Sequence, residues 1–191
     1  MFVRSQRLFL RPGFPEDWQE LHTAIADEGI VCNLANAPWP YTPDDARGFV
    51  EIPQERLLPR FLITLPGAWG ARIVGGVGLS AQGSDVELGY WVARQHWGQG
   101  LASEAASAVL RIAPMLGHRR IIASHFVDNP ASGRVLRKLG FFPTGRVVER
   151  LSKGRTAPAP TVEYAISLRS PCDGDPLNTG GNDDDGMSIA A

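Results

Sequence analysis

The stretch Glu87-Leu-Gly-Tyr-Trp-Val-Ala-Arg-Gln-His-Trp-Gly-Gln-Gly-Leu-Ala-Ser103 contains the change of pattern that decides the fold. From Asp85 to Ala93, the residues alternate between two faces, and this period of two predicts a strand. One face carries Val86, Leu88, Tyr90 and Val92, and the other carries Glu87, Gly89 and Trp91. The turn that follows contains Gly98 and Gly100, which leave its backbone uncovered by side chains. From Leu101 onward, apolar residues recur at helical spacing and alanines supply high propensity, which predicts a helix.

A strand that runs through a glycine turn into a helix directs several free N–H groups toward one point. The helix macrodipole adds partial positive charge there, and glycines let a phosphate approach the backbone closely. Two common phosphate motifs fit poorly, because no lysine follows these glycines and no acid lies about 20 residues on. The turn is therefore either an anion site of another kind or a tight connection that happens to use glycine.

The composition is that of a soluble globular chain with one domain. Of the 191 residues, 43% are hydrophobic and 20% are charged, and the net charge of −1 gives no general footprint for nucleic acid or an anionic membrane. No apolar run approaches the roughly 20 residues that span a bilayer, and the N-terminus does not resemble a signal peptide. We therefore expect a cytoplasmic protein. Only two cysteines occur, Cys32 and Cys172, which gives little reason to expect a disulfide.

The predicted element order is strand, two helices, three strands, helix, strand, helix and two strands, which indicates an α/β or α+β chain with a mixed sheet. A strand is expected over residues 6–11, a helix from Pro15, an irregular segment over residues 29–43, and a helix capped by Thr42. The later strands outside the opening stretch are expected over residues 61–65, 72–79, 120–126, 141–148 and 162–168. Glycines in the second of these predict a bulge or a close backbone approach.

The segment after the strand at 120–126 carries strong helix signals. Asn129 is a favoured N-cap, Pro130 a favoured first residue, and Gly140 is placed to end the helix. From Ser170 the composition changes to Gly, Asp, Asn and Pro. We expect residues 1–169 to form one domain and residues 170–191 to form a disordered, solvated C-terminal tail.

Gln95-x-x-Gly98-x-Gly100, followed by Leu101-Ala102, resembles the acyl-coenzyme A pyrophosphate loop of the GNAT-superfamily N-acetyltransferases, whose pattern is Gln/Arg-x-x-Gly-x-Gly/Ala. The resemblance is closest to the RimJ/RimL-like branch, the ribosomal-protein N-terminal acetyltransferases, and covers roughly residues 4 to 168. The segments that carry it are 6–12, 41–47, 87–91 and 129–141. It implies the GNAT fold, with a mixed, mostly antiparallel central sheet of about seven strands, helices on both faces and a splayed cofactor cleft.

The resemblance also implies acetyl-coenzyme A as the acyl donor, with no metal. The residues it assigns to the donor are Trp91, Val92 and Ala93 along the pantetheine, and Gln95, His96, Trp97, Gly98, Gln99, Gly100, Leu101 and Ala102 around the pyrophosphate. An N–H group of the strand, most plausibly that of Val92, would hold the developing oxyanion. Asn129 resembles the asparagine that contacts the coenzyme arm, a role compatible with capping. Arg134, Arg137 and Lys138 would meet either the adenosine phosphates or solvent.

Aminolysis of a thioester needs a group that accepts the proton of the amine and a group that stabilises the leaving thiolate. Glu87 is the candidate base, and its alternative role is a structural ion pair or an exposed strand position. Many GNAT enzymes place a tyrosine where this chain has Leu136. Ser132, one turn earlier on the same face, resembles the serine that RimL-like enzymes present to the sulfur, and packing or capping is its alternative role. His125 stays outside the predicted catalytic set.

The leading hypothesis is therefore an N-acetyltransferase whose acceptor is a protein N-terminal α-amine or a small-molecule amine. Segments 29–52 and 150–160 would form the acceptor side. A catalytically weak or inactive acyl-coenzyme A-binding module is the alternative, and phosphoryl transfer is disfavoured by the missing lysine. We expect no nucleic-acid or membrane partner, and a homodimer is consistent with the branch, although nothing in the sequence marks an interface.

Overall fold

The computed structural model describes residues 1–68 and 70–168. The predicted tail, with Cys172, and Trp69 lie outside the described residues. In chain order the elements are β1 (Val3–Arg4), β2 (Phe9–Arg11), α1 (Trp18–Ile25), α2 (Glu28–Val31), α3 (Pro43–Glu51), β3 (Arg60–Gly67), β4 (Gly70–Gln82), β5 (Asp85–Val92), α4 (Leu101–Ile112), β6 (Arg120–Phe126), α5 (Pro130–Lys138), β7 (Phe142–Arg150) and β8 (Ala159–Ser167). Short 3₁₀ turns precede α1 and follow β5 and α4.

The strands form one mixed sheet in the order β1-β2-β3-β4-β5-β6-β8-β7. Only the β5–β6 pair is parallel among the pairings of the described strands; the other neighbours run antiparallel. This confirms the predicted mixed, mostly antiparallel sheet. The sheet has eight strands rather than about seven, because two residues near the N-terminus, Val3 and Arg4, pair with β2.

Helices cover both faces of the sheet, as predicted. On β3, the side chains of Phe61 and Ile63 pack in a cluster with Leu101 of α4, whereas Leu62 between them packs in a second cluster with Leu21 of α1. Because successive side chains of a strand point to opposite faces, this alternation places α4 and α5 on one face and α1 to α3 on the other. The protein therefore has two hydrophobic clusters, one on each face of the sheet.

Two predictions near the N-terminus differ from the structure. The segment 29–43 was expected to be irregular, but Glu28–Val31 forms a single helical turn because Ile30 and Val31 are buried against the second core cluster. Burial outweighs the weak local helix signal of four residues. The strand expected over 6–11 begins only at Phe9, because Ser5 and Leu8 close a bend through an N–H···O bond of 3.0 Å.

Local capping and packing signals elsewhere are confirmed. Thr42 caps α3 through a reciprocal capping box: its hydroxyl accepts from the N–H of Asp45 at 3.2 Å, and the Asp45 carboxylate accepts from the N–H of Thr42 at 2.8 Å. The β3–β4 register shifts between Ile63 and Thr64, which is the expected bulge. A Cβ at Gly76 would lie 2.5 Å from Trp91 Nε1, so this glycine lets the indole of the neighbouring strand lie against the backbone.

Candidate active site

The cleft lies where the two central parallel strands part. Direct pairing of β5 with β6 is confined to Glu87 and Ile122, although both strands continue beyond that point. The space between their diverging ends belongs to a cleft of about 1160 Å³, lined by Tyr90 and Val92 on one side and by His125 and Phe126 on the other. The predicted splay is therefore present in the fold.

The backbone of β5 directs the N–H of Val92 into this cleft. The N–H of Ala93 donates to the carbonyl of Val74 at 2.9 Å, so Ala93 faces β4 and is fully buried. Because backbone groups alternate in direction along a strand, the N–H and C=O of Val92 face the opposite side, toward the cleft. The carbonyl of Val92 accepts from Trp97 Nε1 at 2.6 Å, which leaves its N–H for a ligand. Of the three strand residues predicted to bind the donor, Val92 offers its N–H, Trp91 lines the cleft and Ala93 is turned away.

The glycine turn ends in an exposed helix N-terminus. Gly98 and Gly100 have φ values of +75° and +76°, a left-handed conformation that other residues adopt only with strain. Gly100 is the N-cap of α4, and no side chain among residues 1–68 and 70–168 caps the first-turn N–H groups of that 12-residue helix. A Cβ at Gly98 would meet no heavy atom within 4 Å. Free N–H groups, an open approach and the helix dipole suit a phosphate-bearing ligand, so the residues present fit the pyrophosphate of coenzyme A.

The structure brings most, but not all, of the predicted loop residues to the cleft. Those that line it are His96, Trp97, Gly98, Gly100, Leu101 and Ala102. Gln95 and Gln99 lie outside the lining and hydrogen-bond to each other, from Gln99 Nε2 to the Gln95 carbonyl at 3.2 Å. They shape the loop instead of facing its ligand side.

Arg7 supports the loop from a distant part of the chain. Its guanidinium donates to the carbonyl of Gln99 at 3.1 Å and to Glu104 at 2.7 Å, and its backbone N–H donates to Glu104 at 2.7 Å. Burial alone would raise the pKa of Glu104, but hydrogen bonds from Arg7 and Ser5 hold that pKa below its ordinary value. This arginine was not predicted as a site residue, because the sequence gives no sign that residue 7 meets residues 99 and 104.

Asn129 and the basic side chains of α5 differ in how they face the cleft. Asn129 Oδ1 accepts from the N–H of Ser132 at 3.3 Å, which confirms the predicted cap, and both residues line the cleft. Arg134 and Lys138 line it as well, since residues four apart share a helix face. Arg137 does not: its guanidinium donates to the hydroxyl of Tyr164 at 3.0 Å, on the side of α5 that faces the sheet. The structure thus turns Arg137, a predicted donor-binding residue, away from the cleft.

The two predicted catalytic residues approach the cleft from opposite faces of the sheet. Glu87 accepts from Arg150 Nη1 at 2.7 Å, and the two side chains are 17% and 24% exposed. Ser132 belongs to the face covered by α5, where its Oγ lies 2.8 Å from the hydroxyl of Tyr90. Glu87 and Tyr90 lie three positions apart along β5, and side chains at an odd offset point to opposite faces of the sheet. Glu87 therefore has the ion pair that was its alternative role, and it also lines the cleft.

Tyr90 is the polar group that the sequence analysis missed. Burial raises the pKa of Tyr90 to about 12, and the hydrogen bond with Ser132 offsets only a part of this rise. The sequence does indicate that Tyr90 has a polar partner, because the alternation of β5 places its phenol on the helix-covered face, where a buried hydroxyl needs a hydrogen bond. His125, left outside the catalytic set, also lines the cleft. Its Nδ1 lies 2.8 Å from the Phe126 carbonyl, and its buried Nε2 has no hydrogen-bond partner within the described part of the chain.

The far wall of the cleft comes from the segments expected to face the acceptor. The side chains from α1 to α3 and their connections that line it are mostly apolar: Ile25, Ile30, Leu34, Pro38, Tyr41, Phe49 and Ile52. Leu151 adds to them from the loop after β7. That loop is tied to the wall, because Ser152 Oγ donates to the Leu34 carbonyl at 2.5 Å and the Lys153 N–H donates to the Ala35 carbonyl at 3.1 Å.

Across residues 1–68 and 70–168, no cluster of three or more His, Cys, Asp or Glu side chains could hold a metal ion. In the same residues, no helix has the length and apolar character to cross a membrane.

Comparison with known proteins agrees with this geometry. The family model described as the acetyltransferase (GNAT) domain matches residues 7–142. A GNAT-family acetyltransferase from Bacillus anthracis superposes with a TM-score of 0.74 at 26% identity, over 87% of this chain and 98% of its own. RimL, a ribosomal L7/L12 alpha-N-protein acetyltransferase solved in complex with coenzyme A, gives a TM-score of 0.71 at 21% identity, over 88% and 98%, a likeness of fold.

One curated relative is similar over a shorter segment. The ribosomal-protein-serine acetyltransferase of Escherichia coli (strain K12) is 38% identical over 60 residues, which are 31% of this chain and 34% of that protein. The chain spans less than half the length of the curated relatives it matches.

Proposed function

Because the chain belongs to the GNAT acetyltransferase family, we propose that it is an N-acetyltransferase that transfers the acetyl group of acetyl-coenzyme A to a primary amine. The observation that carries the proposal is the uncapped N-terminus of α4 behind Gly98 and Gly100, next to the parting strands β5 and β6. A relative of the same fold, RimL, was solved with coenzyme A, which supports the same donor here.

When bound, acetyl-coenzyme A supplies the acetyl group as a thioester that an amine can attack. The N–H groups at the start of α4 would bind its pyrophosphate, together with the approach left open by Gly98. The N–H of Val92 would donate to the oxygen on which negative charge develops. Asn129, Arg134 and Lys138 line the side along which the rest of the coenzyme would extend.

Glu87 would take the proton that the amine loses, directly or through water, and Ser132 would donate a hydrogen bond to the leaving sulfur. Arg150 binds Glu87 through Oε1, and no other partner of this carboxylate occurs within the described residues, so Oε2 is the oxygen that could accept the proton. The two groups lie on opposite faces of β5, which suits an amine that arrives from one side and a thiolate that leaves on the other.

The acceptor that the wall favours is an amine carried on a largely apolar body. Within the described residues, the carboxylates that line the cleft are already engaged: Asp45 in the capping box of α3, Glu87 with Arg150 and Asp128 with Arg155. Few charges are thus left to hold a highly polar acceptor. A protein N-terminus with an apolar first side chain and an apolar small-molecule amine both satisfy this. Similarity to the E. coli ribosomal-protein-serine acetyltransferase supports a protein acceptor.

Donor binding is tested by thermal unfolding with and without acetyl-coenzyme A, for the wild type, Gly100→Trp and Gly117→Trp. Binding at about 100 times the dissociation constant adds about 2.7 kcal/mol. Gly117 is the matched control, since it also has a positive φ (+91°) in open space but does not line the cleft. We expect the ligand to stabilise the wild type and Gly117→Trp but not Gly100→Trp. A ligand shift that survives in Gly100→Trp would contradict the pyrophosphate site.

A binding module with little turnover is the second candidate, favoured by the Glu87–Arg150 ion pair and by Leu136. Release of the coenzyme A thiol in the presence of a panel of amines separates the two functions. Rapid, amine-dependent release supports the transferase, and donor binding without release over the whole panel supports the module.

A further inference from the structure

Tyr90 and Ser132 form a hydroxyl pair that joins the two sides of the cleft. Tyr90 projects from β5, and Ser132 lies in the first turn of α5. The phenol oxygen lies 2.8 Å from Ser132 Oγ and 3.1 Å from the carbonyl oxygen of the same residue. Both residues line the cleft. The pair stands one helical turn from Leu136, which is fully buried and has no polar atom to offer the leaving group.

The phenol carries one hydrogen, so this pair has two hydrogen-bond arrangements. In the first, Tyr90 donates to the carbonyl of Ser132, and the serine hydroxyl donates to the phenol oxygen. In the second, Tyr90 donates to Ser132 Oγ, and the serine hydrogen is free for an acceptor in the cleft. A negatively charged acceptor favours the second arrangement, because hydrogen bonds to anions are the stronger ones.

Tyr90 itself is a poor proton source. With a pKa raised to about 12 by burial, it keeps its hydrogen at neutral pH. An ordinary thiol has a pKa of about 8.5, so proton transfer from this phenol to a thiolate is uphill. Because Tyr90 is a poor proton source, the serine is the group assigned to the sulfur, and the phenol would act through it.

We propose that Tyr90 is a positioning residue for Ser132: its phenol donates to Ser132 Oγ and so directs the serine hydrogen toward the leaving sulfur of the acyl donor. The inference rests on the proposed function. When the C–S bond breaks, its electron pair stays on sulfur, and Ser132 stabilises the thiolate by a hydrogen bond without losing its proton. The amine nitrogen forms the new C–N bond, its proton goes to Glu87, which later releases it to solvent, and the thiolate takes a proton from solvent. The donation from Tyr90 strengthens the serine's own hydrogen bond by polarising it.

The experiment compares the binding of coenzyme A with that of desulfo-coenzyme A, which lacks the sulfur, by calorimetry between pH 7 and 10. The ratio of the two affinities measures the contribution of the sulfur to binding. A rise of this ratio with pH measures how strongly the site favours the thiolate over the thiol. The variants are Tyr90→Phe, Ser132→Ala and the double variant. Thr64→Val is the matched control, because it removes another inward hydroxyl that donates to a main-chain carbonyl (Phe9, 2.7 Å), away from the cleft.

We expect Tyr90→Phe to lower the affinity ratio at high pH by about 3- to 10-fold, a part of what a hydrogen bond to an anion contributes, and to leave desulfo-coenzyme A binding unchanged. kcat should fall by a similar factor while KM for acetyl-coenzyme A stays the same. Ser132→Ala should lower the ratio further, and the double variant should match Ser132→Ala, because Tyr90 acts only through the serine. Thr64→Val should change neither ligand's affinity.

Two results would overturn the inference while leaving the donor assignment intact: an unchanged ratio in Tyr90→Phe, or equal losses of affinity for both ligands, which would indicate a structural role. If the folded wild type bound neither ligand, the proposed function itself would fail. Thermal unfolding of each variant shows that the comparison is made between folded proteins.

Discussion

The variants Glu87→Gln and Arg150→Met together test whether the Glu87–Arg150 pair contributes to catalysis, to stability or to both. The pair is formed by Arg150 Nη1 and Glu87 Oε1 at 2.7 Å, with side chains 24% and 17% exposed. A hydrogen bond to a charged group contributes about 1.5–3 kcal/mol, and partial solvent access places this one near the lower end. We therefore expect Glu87→Gln and Arg150→Met each to lower the free energy of unfolding by about 1–2 kcal/mol.

The catalytic effects of the two variants should differ. A positioned general base contributes about 10²- to 10⁴-fold, so Glu87→Gln should lower kcat within that range. Arg150→Met leaves the carboxylate in the cleft, and its kcat should stay within about 3-fold of wild type, a change of less than 1 kcal/mol. The stability losses should be non-additive in the double variant because the two side chains are in contact, whereas its kcat should match that of Glu87→Gln.

The assays are urea unfolding and release of the coenzyme A thiol at saturating donor and acceptor. Asp85→Asn is the matched control, because Asp85 also lies on β5, two residues earlier on the same face, and forms an ion pair with Arg120 outside the cleft. It should leave kcat unchanged. A kcat for Glu87→Gln within about 3-fold of wild type would refute the base assignment, since a base contributes at least about 10²-fold. An Arg150→Met loss as large as that of Glu87→Gln would show that catalysis needs the pair, not the carboxylate alone.

Two further predictions concern stability. Burial alone would raise the pKa of Asp17, but hydrogen bonds from Arg11 and the Phe14 N–H hold it below the ordinary value, so its stabilising effect is present above about pH 4 and is lost as pH falls through the lowered pKa. Urea unfolding from pH 7 to 3 should therefore show a decline that Asp17→Asn makes shallower, and an unchanged slope would contradict the role of this carboxylate. Gly76→Ala should cost about 1–3 kcal/mol in the same assay, because its Cβ would lie 2.5 Å from Trp91 Nε1. Gly89→Ala, whose Cβ meets nothing within 4 Å, should change stability by less than about 0.5 kcal/mol, and equal costs at the two glycines would refute the packing argument.

The elements that the sequence predicts well are those whose signals lie within a few residues of one another. Thr42 with Asp45, and Asn129 with Ser132, are capping pairs three residues apart, and both form the expected hydrogen bonds. The strand–glycine–helix unit from β5 to α4 is equally local. The glycines and the period of the flanking residues were enough to predict its geometry, and the proposed anion site needs only the backbone N–H groups of that geometry.

The features that were missed depend on contacts between distant residues. Arg7 supports the glycine turn through Gln99, 92 residues away, and Tyr90 meets Ser132, 42 residues away. Periodicity gives the face of a strand or helix but not which side chain lies opposite. Arg137 shows the same limit on a smaller scale: its charge suggested a phosphate, whereas its position on α5 directs it to Tyr164.

Arg155 lies beside the proposed acceptor wall, the side of the cleft formed by α1 to α3 and their connections, and its contacts also depend on residues distant in the sequence. Its guanidinium donates to Asp128 at 2.7 and 2.9 Å and to the Cys32 carbonyl at 2.7 Å, and it lies 4.1 Å from the centre of the Phe126 ring. Hydrogen bonding to Arg155 lowers the pKa of Asp128, so this carboxylate stays ionised to a lower pH than an isolated aspartate does. Asp128 immediately precedes Asn129, the cap of the helix that carries Ser132. One side chain therefore joins Cys32, in the segment predicted to face the acceptor, to the residue that precedes the cap of α5, and neither contact has a local signal in the sequence.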